Sequence, residues 1–111
     1  MRNPFLKKKI AKESVVEKYL KRRVEEAKGE VRKVKFLDRN GAPDRLVMFP
    51  GVLVWVELKS EVGKLRPEQE REHARLFLMG QDVHVIREKH EVDILIPIWA
   101  HQSAVYSFDR S

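Results

Sequence analysis

Two apolar runs, Arg45–Phe49 (RLVMF) and Val52–Leu58 (VLVWVEL), flank the dipeptide Pro50-Gly51. Strand formers on either side of a tight turn define a β-hairpin. A half-solvated strand alternates apolar and polar residues, whereas these runs are apolar at nearly every position. Both faces of the hairpin must therefore be covered, which calls for helices on each side of a sheet. At 111 residues the chain has room for one such domain, and a 42% hydrophobic content supplies its core.

The rest of the chain supplies the covering elements. Val16, Tyr19, Leu20, Val24 and Ala27 recur at steps of three and four, which predicts a helix from Lys12 to Lys28 that stops at Gly29. Residues 30–37 alternate and read as a strand, and Asp38-Arg39-Asn40-Gly41 as a loop. After a polar loop over 60–66, Pro67 opens a helix running to about Met79, with Gly80 at its end. Val83, Val85 and Ile86 form a further strand. The expected order is α-β-β-β-α-β. The segment 91–111 is a C-terminal extension; it holds the further apolar run Val92–Trp99, whose end Pro97 demotes to an edge or non-strand position. With Trp99, the isoleucines Ile94, Ile96 and Ile98 offer that extension an apolar patch for a second chain.

Formal net charge is +6, and its distribution is uneven. Residues 1–35 hold 13 Lys/Arg against 5 Asp/Glu, while the remainder holds 10 against 12. Residues 1–10, with Lys7, Lys8 and Lys9, read as a flexible basic arm. Clustered positive charge favours a polyanion, because neutralised phosphates release condensed counterions, and nucleic acid is the expected partner. There is no cysteine, which excludes disulfides, thiolate zinc sites and cysteine nucleophiles. No apolar run is long enough to span a bilayer and none follows the N-terminal lysines as in a signal peptide, so a soluble cytoplasmic protein without membrane contact is expected.

Charge on apolar strands is rare without a reason. Asp44 opens the first run of the hairpin and Glu57 stands near the end of the second, each the same distance from the Pro50-Gly51 turn. They are therefore near cross-strand neighbours, an arrangement that destabilises a sheet unless a cation sits between them. Lys59, two residues beyond Glu57, falls on the same face. Hard oxygen ligands of this kind suit Mg2+ or Mn2+, which retain waters and bridge to phosphate. A lysine beside such an ion holds or deprotonates an attacking water, or offsets charge on a phosphate. Arg45 and Lys64 are candidate phosphate contacts, with an ordinary solvated role equally open to both. His73 follows Gln69 by one helical turn and so could approach the site, although a solvent-facing or core-edge place is the first reading; Trp55 packs under the site.

The stretch Gly41-Ala42-Pro43-Asp44-Arg45, followed by Glu57-Leu58-Lys59, resembles the signature of the PD-(D/E)XK nucleases. The fuller string GAPDRLVMFPGVLVWVELKSEVGKLRPEQ, with the helix after it, resembles the VRR-NUC branch of that superfamily over about residues 13–90. The resemblance implies a restriction-endonuclease-like core, a mixed β-sheet flanked by helices. It makes Asp44 and Glu57 metal ligands, with the Leu58 carbonyl as a further oxygen, and Lys59 the catalytic lysine. Gln69 matches a position that supports that lysine or contacts the backbone. A glutamate on the first helix is also implied. Glu13 and Glu17 both qualify, and Glu17 lies closer to the apolar stripe.

The function so implied is a metal-dependent DNA endonuclease, selective for branched or junction DNA and acting as a homodimer of the Holliday-junction-resolvase kind. Two alternatives are an inactive basic nucleic-acid-binding module of the same fold, which the intact trio opposes, and a nuclease subunit that needs a helicase-type partner.

Overall fold

The computed structural model describes residues 4–110, with side chains from Ser14 onward. The elements are α1 (Pro4–Glu26), β1 (Glu30–Lys33), β2 (Arg45–Phe49), β3 (Val52–Leu58), α2 (Pro67–Leu78), β4 (Asp82–Ile86) and α3 (Lys89–Arg110). The four strands form one sheet in the order β1-β2-β3-β4. The first three pair antiparallel, while β4 joins β3 in parallel, so the chain must cross over between them and does so through α2. This is the expected α/β fold, a mixed sheet flanked by helices.

Alternation along the strands divides the sheet into two unlike faces. Val47 and Phe49 of β2, Val54, Val56 and Leu58 of β3, and Ile86 of β4 point to one side. There they pack against Val16, Leu20 and Val24 of α1 and against Val92, Ile96 and Trp99 of α3, making a single core. The opposite face carries Leu46, Trp55 and Glu57. It is covered only in part, by α2 near β4 and by Phe36, whose ring meets Trp55 edge-on at 5.5 Å. Leu53 on this face remains 45% exposed.

Three expectations need correction. The basic arm read over residues 1–10 is helical from Pro4, because proline fits a first helical turn and nothing between it and Lys12 breaks a helix. Residues 1–3 and the side chains of 4–13 lie outside the described residues, and with them the roles read for Lys7, Lys8, Lys9 and Glu13. The strand read over residues 30–37 ends at Lys33, beyond which one bond, from the Val34 N–H to the Asp44 carbonyl, continues the pairing.

The third correction concerns the C-terminal extension, which is the 22-residue helix α3. Its buried residues Val92, Ile96, Trp99 and Ser103 follow steps of four, three and four, a helical stripe that short-range reading of the isoleucines conceals. Ile96 and Trp99 belong to the core, whereas Ile94 and Ile98 are exposed. Pro97 sacrifices one backbone donor without ending the helix. α3 is fastened to α1 by Tyr19, whose hydroxyl donates to Asp93, and by Arg23, which bonds the Tyr19 oxygen at 2.9 Å and pairs with Asp93. No helix among the described residues is long and apolar enough to cross a membrane.

The far end of α3 holds the hairpin turn. Ser103 Oγ donates to the Pro50 carbonyl at 2.7 Å, and the Tyr106 ring lies over Gly51. Gly51 has φ +73°, and a Cβ there would stand 2.1 Å from the Tyr106 ring. Gly51→Ala is therefore expected to cost on the order of 1–3 kcal/mol in thermal denaturation. Combined with Tyr106→Ala, the added cost of Gly51→Ala should fall to the backbone part, about 1 kcal/mol.

Candidate active site

The hairpin register brings the two carboxylates together. Phe49 faces Val52 and Arg45 faces Val56, so the next step places Asp44 opposite Glu57. Asp44 is located from two further directions. Its carbonyl accepts from Val34 on the β1 side, and the loop before it is docked on α2. Gly41 (φ +82°) approaches that helix so closely that a Cβ would lie 2.4 Å from the Glu68 carbonyl oxygen and 2.7 Å from the Gln69 nitrogen. Pro43 between them is fully buried.

Glu57 is 6% exposed. Burial, and next the charge of Asp44, push its carboxyl up to about 7; Lys59, Arg66 and Arg45 oppose this without overcoming it. Asp44 turns Oδ2 to Arg45 Nη1 at 3.3 Å, but Oδ1 is buried and has no hydrogen-bond partner. A raised carboxyl beside an orphaned carboxylate oxygen is a site short of positive charge. Lys59 is half-buried on the same face, its backbone N–H extending the β3–β4 ladder to the Ile86 carbonyl at 3.0 Å. Arg87 pins the loop that follows, donating to the carbonyls of Ser60, at 2.8 Å, and Gly63.

Of the two places open to His73, the structure shows the one beside Glu57. Its Nε2 lies 4.0 Å from Glu57 Oε1 and is buried without a hydrogen-bond partner. Burial depresses its pKa, with Glu72 opposing and Lys59 reinforcing the effect, so the ring is held neutral. Helical spacing puts His73 on the face of Gln69, but only the packing of α2 over Glu57 shows that this face is the inner one. Glu72, 4% exposed and paired with Arg75 at 3.3 Å and Arg39 at 3.9 Å, had no signal in the sequence beyond a charged helix.

Other expected members sit differently. Gln69 is buried at the start of α2, and its Oε1 accepts from the Arg66 backbone N–H at 2.9 Å, so the amide oxygen caps the helix. Arg45 is not presented to solvent phosphate. Its side chain is 12% exposed and committed to Asp44 and, at 2.9 Å, to Glu17. Alternation sends Arg45 to the α1 side of the sheet, the side away from Glu57, and Glu17 meets it there. Burial raises the pKa of Glu17, but hydrogen bonds from Arg45 and from Lys33, at 3.2 Å, outweigh it and leave the group lowered. Glu17 thus reaches Asp44 through Arg45. Lys64 is exposed on the loop after Lys59.

Among the described residues no group of three or more His, Cys, Asp or Glu side chains is arranged to hold a metal ion. The site offers two carboxylates, a donor set that fits a hard cation which keeps much of its own water and does not fit zinc.

A mixed sheet carrying an opposed pair of carboxylates, one of them buried, and a lysine at the end of its central hairpin is the architecture of a PD-(D/E)XK nuclease domain. No family model matches the chain. It is 36% identical over 90 residues to the protein named "Putative nuclease p44" of Acyrthosiphon pisum secondary endosymbiont phage 1, covering 80% of this chain and 96% of that one. It is also similar to a solved VRR-NUC domain, with a TM-score of 0.71 and 45% identity over 78% of this chain and 95% of the other. The chain belongs to the VRR-NUC family of nucleases.

The state of Glu57 has a measurable consequence. Its folded pKa is about 7 against an ordinary 4.5, so in the metal-free protein the folded state holds this proton more tightly than the unfolded one. Stability from this group is complete below about pH 4.5 and is lost as pH rises towards 7, by up to about 3 kcal/mol. Glu57→Gln should therefore melt several degrees above wild type at pH 8 in EDTA, with the difference vanishing near pH 4.5. Equal melting temperatures at both pH values would show that the carboxyl is not destabilised.

Proposed function

We propose that this nuclease is a Mg2+- or Mn2+-dependent DNA endonuclease whose reaction centre is Asp44, Glu57 and Lys59. The observation that carries the reading is the opposed pair itself, with Glu57 raised by burial and then by Asp44, and one oxygen of Asp44 left without a hydrogen-bond partner. Asp44 and Glu57 would hold the ion, with the Leu58 carbonyl as a further oxygen. When bound, a divalent cation polarises the phosphodiester and lowers the pKa of a coordinated water. The chain's own residues supply the rest. Lys59 orients the attacking water, or offsets the charge that builds on the phosphate, from a backbone fixed to β4. Arg45, anchored by Glu17, holds Asp44 in place from the opposite side of the sheet. His73, neutral and packed against Glu57, excludes water from that carboxylate's inner side.

Selectivity for branched or junction DNA and action as a two-fold dimer extend the same reading. A dimer is supported by the apolar side chains that α3 leaves in solvent, Ile94, Ile98 and Phe108 among them.

The test uses purified protein with labelled junction, flap, splayed-arm and plain duplex DNA, with and without Mg2+ or Mn2+. Cleavage should require the metal. Asp44→Ala and Glu57→Ala should abolish it, and Lys59→Ala should lower it by roughly 10²- to 10⁴-fold while DNA binding persists. Wild-type cleavage by Lys59→Ala would refute the assignment. Sizing of the protein alone should return a dimer, and a monomer that cleaves junctions symmetrically would overturn that part.

A further inference from the structure

Apart from the site, positive charge gathers around an aromatic ring in a groove among the described residues. It lies between α1 and α3, has a volume of about 250 Å³, and is lined by Val15, Lys18, Tyr19, Arg22 and Lys89. The Tyr19 ring is held in place because its hydroxyl is fixed by Asp93 and Arg23. Lys89 Nζ and Arg22 Cζ each stand 5.3 Å from the ring centroid. Arg22 is partly answered by Glu26, 3.6 Å away. Lys18 and Lys89 have no carboxylate within ion-pair distance among the described residues. Like charges held around a fixed ring repel one another, and an anion in the groove relieves that cost.

The position of the groove is as telling as its charge. β3 and β4 run parallel, with Leu58 beside Ile86. Glu57 and Lys59 therefore leave the sheet at the same end as the chain that turns, three residues after Ile86, into Lys89 at the start of α3. The groove and the carboxylate pair thus share one end of the molecule, on opposite sides of the sheet.

We propose that the Lys18–Arg22–Lys89 groove is a second contact for the phosphate backbone of nucleic acid, separate from the reaction centre. Lys18 and Lys89 engage phosphates, and the immobilised Tyr19 ring forms the floor between them. It binds backbone without reading sequence, and so sets affinity and salt dependence but not the chemical step. The proposal rests on the nuclease reading only in taking nucleic acid as the polyanion.

The experiment compares wild type with the double variant Lys18→Gln/Lys89→Gln. Both side chains are exposed, so the fold should be retained, which circular dichroism will show. Binding of fluorescent duplex DNA is followed by anisotropy in EDTA across a range of NaCl. The variant should bind roughly tenfold more weakly at low salt, and its plot of log affinity against log salt should be shallower by about two. Its kcat at saturating DNA in Mg2+ should equal that of wild type. An unchanged slope overturns the groove whether or not the protein cleaves DNA. An unchanged slope together with an altered oligomeric state on sizing overturns it too, and assigns the groove to a protein contact. A shallower slope in a protein whose wild type never cleaves sustains the groove and rejects the nuclease reading alone.

Discussion

The placement of Asp44 against Glu57 depends on the β2–β3 register. A slip of one residue in a sheet turns every side chain to the other face. Here it would drive Glu57 among the valines of the core and expose the residues that seat α1 and α3. The register is held by the burial of Val47, Val54 and Val56 on one side and by the clamp on the Pro50-Gly51 turn on the other. The apolar core thus aligns the charged residues, and neither carboxylate needs to be stabilising for the pair to form.

The pair is indeed costly. Burial alone disfavours an ionised Glu57, and a second carboxylate opposite makes it worse. The fold tolerates this because the cost is confined to a sheet end where only α2 covers the strands. Of the three cations that oppose it, Lys59, Arg66 and Arg45, the last is held on the reverse side by Glu17. Its side chain lies across the sheet from Glu57, which leaves that carboxyl raised.

The two faces of the sheet divide the labour. The α1–α3 face holds the close-packed core, with the buried Trp99 ring meeting Phe49 and His84. The α2 face carries Asp44, Glu57 and Lys59, and α2 contributes nothing to the main core. What α2 does is local. Capped by Gln69 and touching the Gly41 loop, it fixes Asp44 and lays His73 against Glu57. Such a helix is positioned by a few contacts at its first turn, and the apolar residues at its far end, Phe77, Leu78 and Met79, remain in solvent.

The sequence by itself determined the hairpin, the opposition of Asp44 and Glu57, the shared face of Lys59 and the general α/β plan, because each follows from a short-range rule: period-two alternation, distance from a turn, helical spacing. Its resemblance to a nuclease family was legible for the same reason, since those residues lie within one hairpin and the start of the next helix. Tertiary structure alone decided the rest. That Arg45 is consumed by Glu17 and Asp44, that Gln69 caps a helix, and that His73 faces inward all depend on which elements pack over which face. The helical nature of α3 was hidden because Pro97 and closely spaced isoleucines mimic a broken strand; its stripe makes sense only with α1 and the sheet there to bury it. The groove around Tyr19 joins residues some seventy positions apart in the chain, a separation that no local pattern spans.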